Sequence, residues 1–168
     1  MHQSAVACRN RLVALAFASI PLAGCAASSP VEPTPSPTPA SASVSLSVSP
    51  DPVTATETDD PKTPLRADWV VTITSAGAGG TVNFVNATLR DAETGALPDP
   101  TGRLSLAGPD IAAQAGTNRV AAGGSLRVAQ SLDYAPPVDS RRGTLLVTVQ
   151  LTDDLGNVVS RSATVAVN

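Results

Sequence analysis

The sequence predicts an all-β fold: a single sandwich of about seven strands after a signal segment and a disordered, proline-rich linker. Three observations predict it. Apolar and polar residues alternate at period two in most of the chain beyond residue 43, as half-buried strands require. No segment sustains the 3.6-residue apolar period of a helix. Clusters of Gly, Pro, Asn and Asp separate the alternating runs. The boundaries fall at 1–24, 25–43 and 44–168, so the folded part has about 125 residues, enough for one domain that buries about two-thirds of its unfolded surface.

The first 24 residues have the parts of an export signal. Arg9 and Arg11 precede the short apolar run 12–20, and Pro21-Leu22-Ala23-Gly24 leads into Cys25. The apolar run is shorter than the roughly 20 residues a membrane-spanning helix needs. Leu22-Ala23-Gly24-Cys25 resembles a bacterial lipobox. That resemblance implies cleavage between Gly24 and Cys25 and a diacylglyceryl group on the Cys25 sulfur, hence a membrane partner through the anchor. The competing reading is an ordinary secretory cut that leaves Cys25 a free thiol; four matching positions at the right distance from the apolar run favour the lipobox. Ala26 in place of Asp resembles the pattern sent on to an outer membrane where the host has one; otherwise the anchor sits on the outer face of the cell membrane.

Residues 26–43 alternate proline with small polar residues, which prevents both helix and central strand. Extended polyproline-II structure at about 3.1 Å per residue gives a spacer reaching about 50 Å.

The strands follow in order. Val44, Leu46 and Val48 share one face of Ser43–Ser49, and Pro50 and Pro52 end it. Trp69, Val71 and Ile73 share a face of the β-branched run 69–74, and the loop 77–80 turns into 81–90. There the parity changes: Val82 and Phe84 fall on one phase, Val85, Ala87 and Leu89 on the other. A β-bulge near Asn83–Asn86 or burial on both faces accounts for it. Residues 92–124 are rich in Gly, Pro and Ala and hold short edge strands near 103–107 and 118–121. Leu126, Val128, Gln130, Leu132 and Tyr134 mark the next strand, Leu145 to Leu151 another, and Val159 to Val167 the last. Asp153-Asp154-Leu155-Gly156-Asn157 joins these two as a tight hairpin turn, with Asp153 and Asn157 as turn formers.

Composition narrows the function. Hydrophobic residues make up 42% of the chain but aromatics only 2%, so Val, Leu and Ile must build the core. Losing Arg9 and Arg11 with the signal takes eleven basic residues to nine against fourteen acidic ones, a net charge of −5. No basic stripe or aromatic platform remains for nucleic acid, and no polybasic patch for lipid headgroups. Cys8 also leaves, and with Cys25 acylated there is no thiol to form a disulfide.

The same reading argues against an enzyme. The sole histidine, His2, lies in the signal, which removes the usual general base and the commonest zinc ligand. Lys62, the one lysine, sits in a loop-like stretch unsuited to a Ser–Lys pair. The adjacent carboxylates Asp59/Asp60 and Asp153/Asp154 have no aromatic-lined sugar cleft to serve. Calcium is the sharpest ligand hypothesis, because Asp51, Glu57, Asp59, Asp60 and Asp68 crowd one stretch, with Asp59 and Asp60 as first candidates. No calcium-loop spacing supports it. Asn86-Ala87-Thr88 matches a glycosylation acceptor by chance, being inside a predicted strand. No other cofactor is expected.

The run Trp69–Thr74 with its glycine-rich loop, Leu89-Arg90-Asp91 with Thr94-Gly95, and the ending Thr152–Val159 together resemble disulfide-free immunoglobulin-like or fibronectin-type-III-like domains of bacterial envelope proteins. The resemblance covers roughly 44–168 and implies an immunoglobulin-like sandwich, with a small antiparallel barrel as the runner-up. It implies a non-catalytic interaction or structural module with an envelope protein as partner. Both inter-sheet cysteines of antibody domains are missing. The segments 51–68, 75–80 and 92–124 are the freest to carry specificity.

Overall fold

A computed structural model describes residues 42–99, 102–137 and 142–168. Among them are nine strands and one short helix, arranged as two antiparallel sheets. The strands are β1 (Ser43–Ser49), β2 (Ala55–Glu57), β3 (Leu65–Ala76), β4 (Gly80–Asp91), β5 (Arg103–Ala107), β6 (Arg119–Val120), β7 (Ser125–Tyr134), β8 (Gly143–Asp153) and β9 (Val158–Val167). The helix α1 spans Gly108–Ala115.

In the first sheet, β3 is flanked by β7 on one side and by β1 and β2 in succession on the other. The order β5-β4-β8-β9 forms the second, with β6 also pairing β4. Alternation decides which face is inside: on β3 the odd residues Leu65 to Ile73 are buried, and on β8 the odd residues Leu145 to Leu151. Trp69, Ile73, Leu89, Ile111, Leu145 and Leu151 are the bulkiest fully enclosed side chains of one core. Burying each aliphatic one contributes about 1.5–3 kcal/mol. With one Trp and one Tyr in it, the core rests on many small contributions.

The parity change in β4 is a bulge. Pairing with β8 skips a residue between Val82 and Phe84, so Val82 and Val85 are both fully buried while Phe84 turns outward, half-buried.

Two elements depart from the sequence-based expectation. The stretch 92–124 holds helix α1 as well as edge strands, although the sequence shows no helical period. An eight-residue helix needs only one core contact, and Ile111, fully buried, supplies it. Its limits are local: Asp110 accepts the Ala107 N–H at 3.3 Å, Pro109 sits in the first turn, and Gly116 ends the helix with φ 78°. β2 is likewise additional, bringing the strands above the expected seven. After the cis peptides at Pro50 and Pro52, Val53 drops into the interior. It bonds across to the other sheet (Val53 N to Ala166 O, 2.9 Å; Asn168 N to Val53 O, 2.9 Å) before β2 returns to β3.

Candidate interaction surfaces at the two poles

Strand directions give the body two poles. The described chain starts at Ala42 at the proximal pole, with the connections 77–79, 116–118, 121–124 and 154–157. At the distal pole are 50–54, 58–64 and the described parts of the β4–β5 and β7–β8 connections, 92–99 with 102 and 135–137 with 142.

Each pole is organised by a buried aspartate. At the proximal one, both oxygens of Asp153, 4% exposed, are engaged. Oδ1 accepts from Leu155 N (3.0 Å), Asn157 N (2.8 Å) and Asn157 Nδ2 (3.2 Å); Oδ2 accepts from Asn157 Nδ2 (3.0 Å) and Ala42 N (3.3 Å). These bonds, the Asn157 side chain first, hold its carboxyl below the usual carboxylate range against the opposing effect of desolvation. One carboxylate thus ties the hairpin turn to the start of β1. Gly156, with φ 86°, lets the turn close. The turns are tied to their surroundings: Asp154 N to Gly79 O at 3.0 Å joins two turns, and Ser75 N in β3 donates to Gly124 O of the 121–124 turn at 3.0 Å.

At the distal pole Asp91, 5% exposed, is used on one side only. Oδ1 accepts Thr94 N (2.7 Å), Thr94 Oγ1 (2.7 Å) and Glu93 N (3.1 Å), closing the turn that Asp91-x-x-Thr94-Gly95 announces. The Thr94 bonds come first in lowering its carboxyl below the ordinary range. Oδ2 is buried with no hydrogen-bond partner. Asp91 lines a cavity of about 10 Å³, about enough for one water, together with Leu89, Pro98, Tyr134, Arg142 and Gly143. Loop-to-loop backbone bonds join this pole, Asp99 and Ala135 pairing reciprocally at 3.0 and 2.8 Å.

The acidic stretch 51–68 does not converge. Asp60 spends its carboxylate locally, accepting Lys62 N (2.9 Å) and Thr63 Oγ1 (3.1 Å) in a turn also closed by Thr58 N to Pro64 O at 2.9 Å. Asp59 is exposed beside it, and Asp68 lies on the outer face of the first sheet, opposite Ser131. Among the described residues, no group of three or more His, Cys, Asp or Glu side chains comes together to hold an ion. Gly24 and Cys25 lie outside the described residues. Asn86 accepts Ser105 Oγ at 2.6 Å as a cross-strand pair.

Beyond the poles, the outer face of the first sheet carries an open groove of about 420 Å³ around Ser49, Asp68, Val70, Gln114, Ala129 and Ser131. Gln114 Nε2 donates to Ala129 O at 2.6 Å, so α1 covers part of the free edge of β7. Under this groove Trp69 Nε1 donates to Gln130 Oε1 at 2.8 Å; Gln130 Nε2 is buried without a partner. Arg66 reaches Asp133 through two bonds of 2.6 and 2.8 Å, which lowers the Asp133 carboxyl. The groove is open and its lining mixes polar side chains with apolar ones such as Pro50 and Val70.

No family model matches the sequence, and no curated protein does. Solved structures resemble the body. A Bordetella pertussis protein described as ApaA superposes with a TM-score of 0.52 at 15% identity, over 74% of this chain and 92% of that one. The structural-genomics target SoR45 gives 0.51 at 13% identity, over 74% of this chain and 86% of that one. At such identities the likeness is one of fold.

Proposed function

We propose that the chain is a lipid-anchored protein of the bacterial cell envelope, which presents a non-catalytic, immunoglobulin-like interaction module on a proline-rich spacer. The observation that carries the reading is the order of parts: Leu22-Ala23-Gly24-Cys25, a spacer with a reach of about 50 Å, then one two-sheet body whose first described residue lies at one pole. With the stalk joined at Ala42, the longest loops lie at the opposite pole, where a partner meets them first. The two antiparallel sheets packed around Trp69 support the immunoglobulin-like assignment. Three of the buried or half-buried carboxylates, Asp91, Asp133 and Asp153, hold turns or an ion pair, which supports a structural use of the acidic residues.

The test is intact-mass spectrometry of the protein recovered from host membranes, followed by crosslinking of the same sample. A chain beginning at Cys25 with added diacylglyceryl mass and a protein crosslinked through the distal loops is the expected result. An unlipidated chain in the soluble fraction would overturn it.

A further inference from the structure

We infer that the proximal pole is a lipid-contacting surface, in which Leu155 and Val158 on the β8–β9 hairpin rest against the bilayer that holds the anchor. The inference rests on the anchored reading above and adds a site to it.

Four large apolar side chains are exposed among the described residues. Leu97 (37%) and Leu146 (43%) stand singly, on the distal pole and on the outer face of the second sheet, as isolated apolar residues commonly do. Leu155 (46%) lies in the tight turn and Val158 (63%) opens β9 opposite Thr152, so the two most exposed are three positions apart at the proximal end of one hairpin. Their position relative to the stalk is set by a single carboxylate. Asp153 Oδ2 accepts the Ala42 N–H while Oδ1 accepts the Leu155 and Asn157 N–H groups. The spacer therefore leaves the body beside the apolar turn, and pulling in the stalk brings this turn toward the membrane.

The surroundings match such a surface. The proximal connections read Gly-Ala-Gly at 77–79, Gly-Thr-Asn at 116–118, Ala-Ala-Gly-Gly at 121–124 and Asp-Leu-Gly-Asn at 154–157. Asp154 is the one charged side chain among these, and Arg119 neutralises it at 2.7 and 2.8 Å. The side chains of these connections therefore present no net charge to an anionic headgroup layer, and the one further carboxylate, Asp153, is buried beneath them with both oxygens hydrogen-bonded. The described residues of the distal connections include seven charged ones, five of them acidic, and would be repelled. Two apolar side chains bind a bilayer weakly on their own. The anchor confines the body to within a spacer's reach, about 50 Å, of the bilayer, and that confinement favours a contact too weak to form from free solution.

The test uses the mature, lipidated chain in vesicles of phosphatidylethanolamine and phosphatidylglycerol. With Cys25 acylated, Val158→Cys carries the one free thiol for an environment-sensitive fluorophore, and Leu97→Cys provides the distal control. The expected result is a blue-shifted emission at 158, quenched by spin-labelled lipid, and water-like emission at 97. Hydrogen exchange of the unlabelled chain gives a second measurement, with slower exchange across 154–158 in vesicles than after release by cleavage in the spacer. Water-like emission at both positions, with the lipid mass present on Cys25, would overturn this inference and leave the anchor standing. A shift at 158 that grows with protein density assigns the turn to a second copy of the chain and also overturns it. A chain without lipid on Cys25 sinks both readings together.

Discussion

The proximal connections are three or four residues long, whereas the distal ones run from five to eleven. Short connections leave little backbone to satisfy, and Asp153 with the Asp154–Gly79 and Ser75–Gly124 backbone bonds completes the proximal pole. Long connections have many backbone groups to pair, and eight prolines remove that many donors from them. The distal pole is consequently held by backbone ties, Val53 to β9 and Asp99 to Ala135, and its aspartate keeps one oxygen without a partner. A base tied by short turns and a longer, more charged tip suit the displayed module proposed above, since binding loops come from the low-stability end of a fold.

The largest expected effect separates the two aspartates. Asp153→Ala strips the start of β1 and the hairpin of a shared acceptor and leaves buried N–H groups unpaired. A fall in Tm of about 5–10 °C is expected. Asp91→Ala frees one turn and removes an oxygen that already lacks a partner, so about half that loss is expected. Thermal unfolding followed by circular dichroism measures both, and an equal or reversed order would break the comparison.

Acid sharpens it. Both carboxyls sit below their unfolded value of about 3.9, so each contributes stability that is complete above that pH and lost as pH falls through the folded value. The wild-type Tm should be level from about pH 5 to 7 and decline below about pH 4. Asp153→Asn, less stable at neutral pH, should lose less than wild type on further acidification. Parallel acid curves would show that Asp153 is not among the groups responsible.

A steric difference comes next. A Cβ on Gly79 would meet Val120 O at 2.8 Å, Asp154 Oδ2 at 2.9 Å and Ala122 N at 3.0 Å, two of them backbone atoms in neighbouring turns. Gly79→Ala should cost about 1–3 kcal/mol. At Gly95 the space is open and the cost is that of its positive φ, about 1 kcal/mol. Urea unfolding of the two variants decides the order; a harmless Gly79→Ala would mean the proximal turns are less tightly joined than the distances say.

Much of the strand order is legible in the sequence, for a physical reason. Strands that bury one face leave a period-two record, so β1, β3, β4, β7, β8 and β9 appear in the residue order, and the phase change at Val82/Phe84 records the bulge. Asp153 and Asn157 are readable as turn formers because an Asp accepting N–H groups two and four residues on is a local bond. Elements that owe their form to distant partners leave no such record. α1 buries one large side chain, so it writes no period, though Gly108-Pro109-Asp110 and Gly116 are start and stop signals of its ends. β2 exists because Val53 is pulled into the other sheet, a contact more than a hundred residues away in the chain. The acids of 51–68 stand close in sequence, and local structure sets where each one sits: Asp60 closes the 58–63 turn and Asp68 faces outward from β3. Leu155 and Val158 look like ordinary hairpin residues until Asp153 is seen to bind Ala42.

The smallest effect is kinetic and leaves the folded state intact. Native-state cleavage follows local opening, whose free energy is low in long exposed loops and approaches the global value in paired strands. Lys62 and Arg142 are exposed in distal connections, whereas Arg119, Arg127 and Arg161 sit in β6, β7 and β9. Brief treatment with trypsin should therefore cut after Lys62 or Arg142 first, with the fragments held together by the sheets. Peptide mass mapping over a time course reads the order directly. First cuts after Arg119 or Arg161 would place the loosest backbone at the proximal pole. A base that opened before the tip would undo the division of labour between the poles, and with it the case for partner contacts through the distal loops.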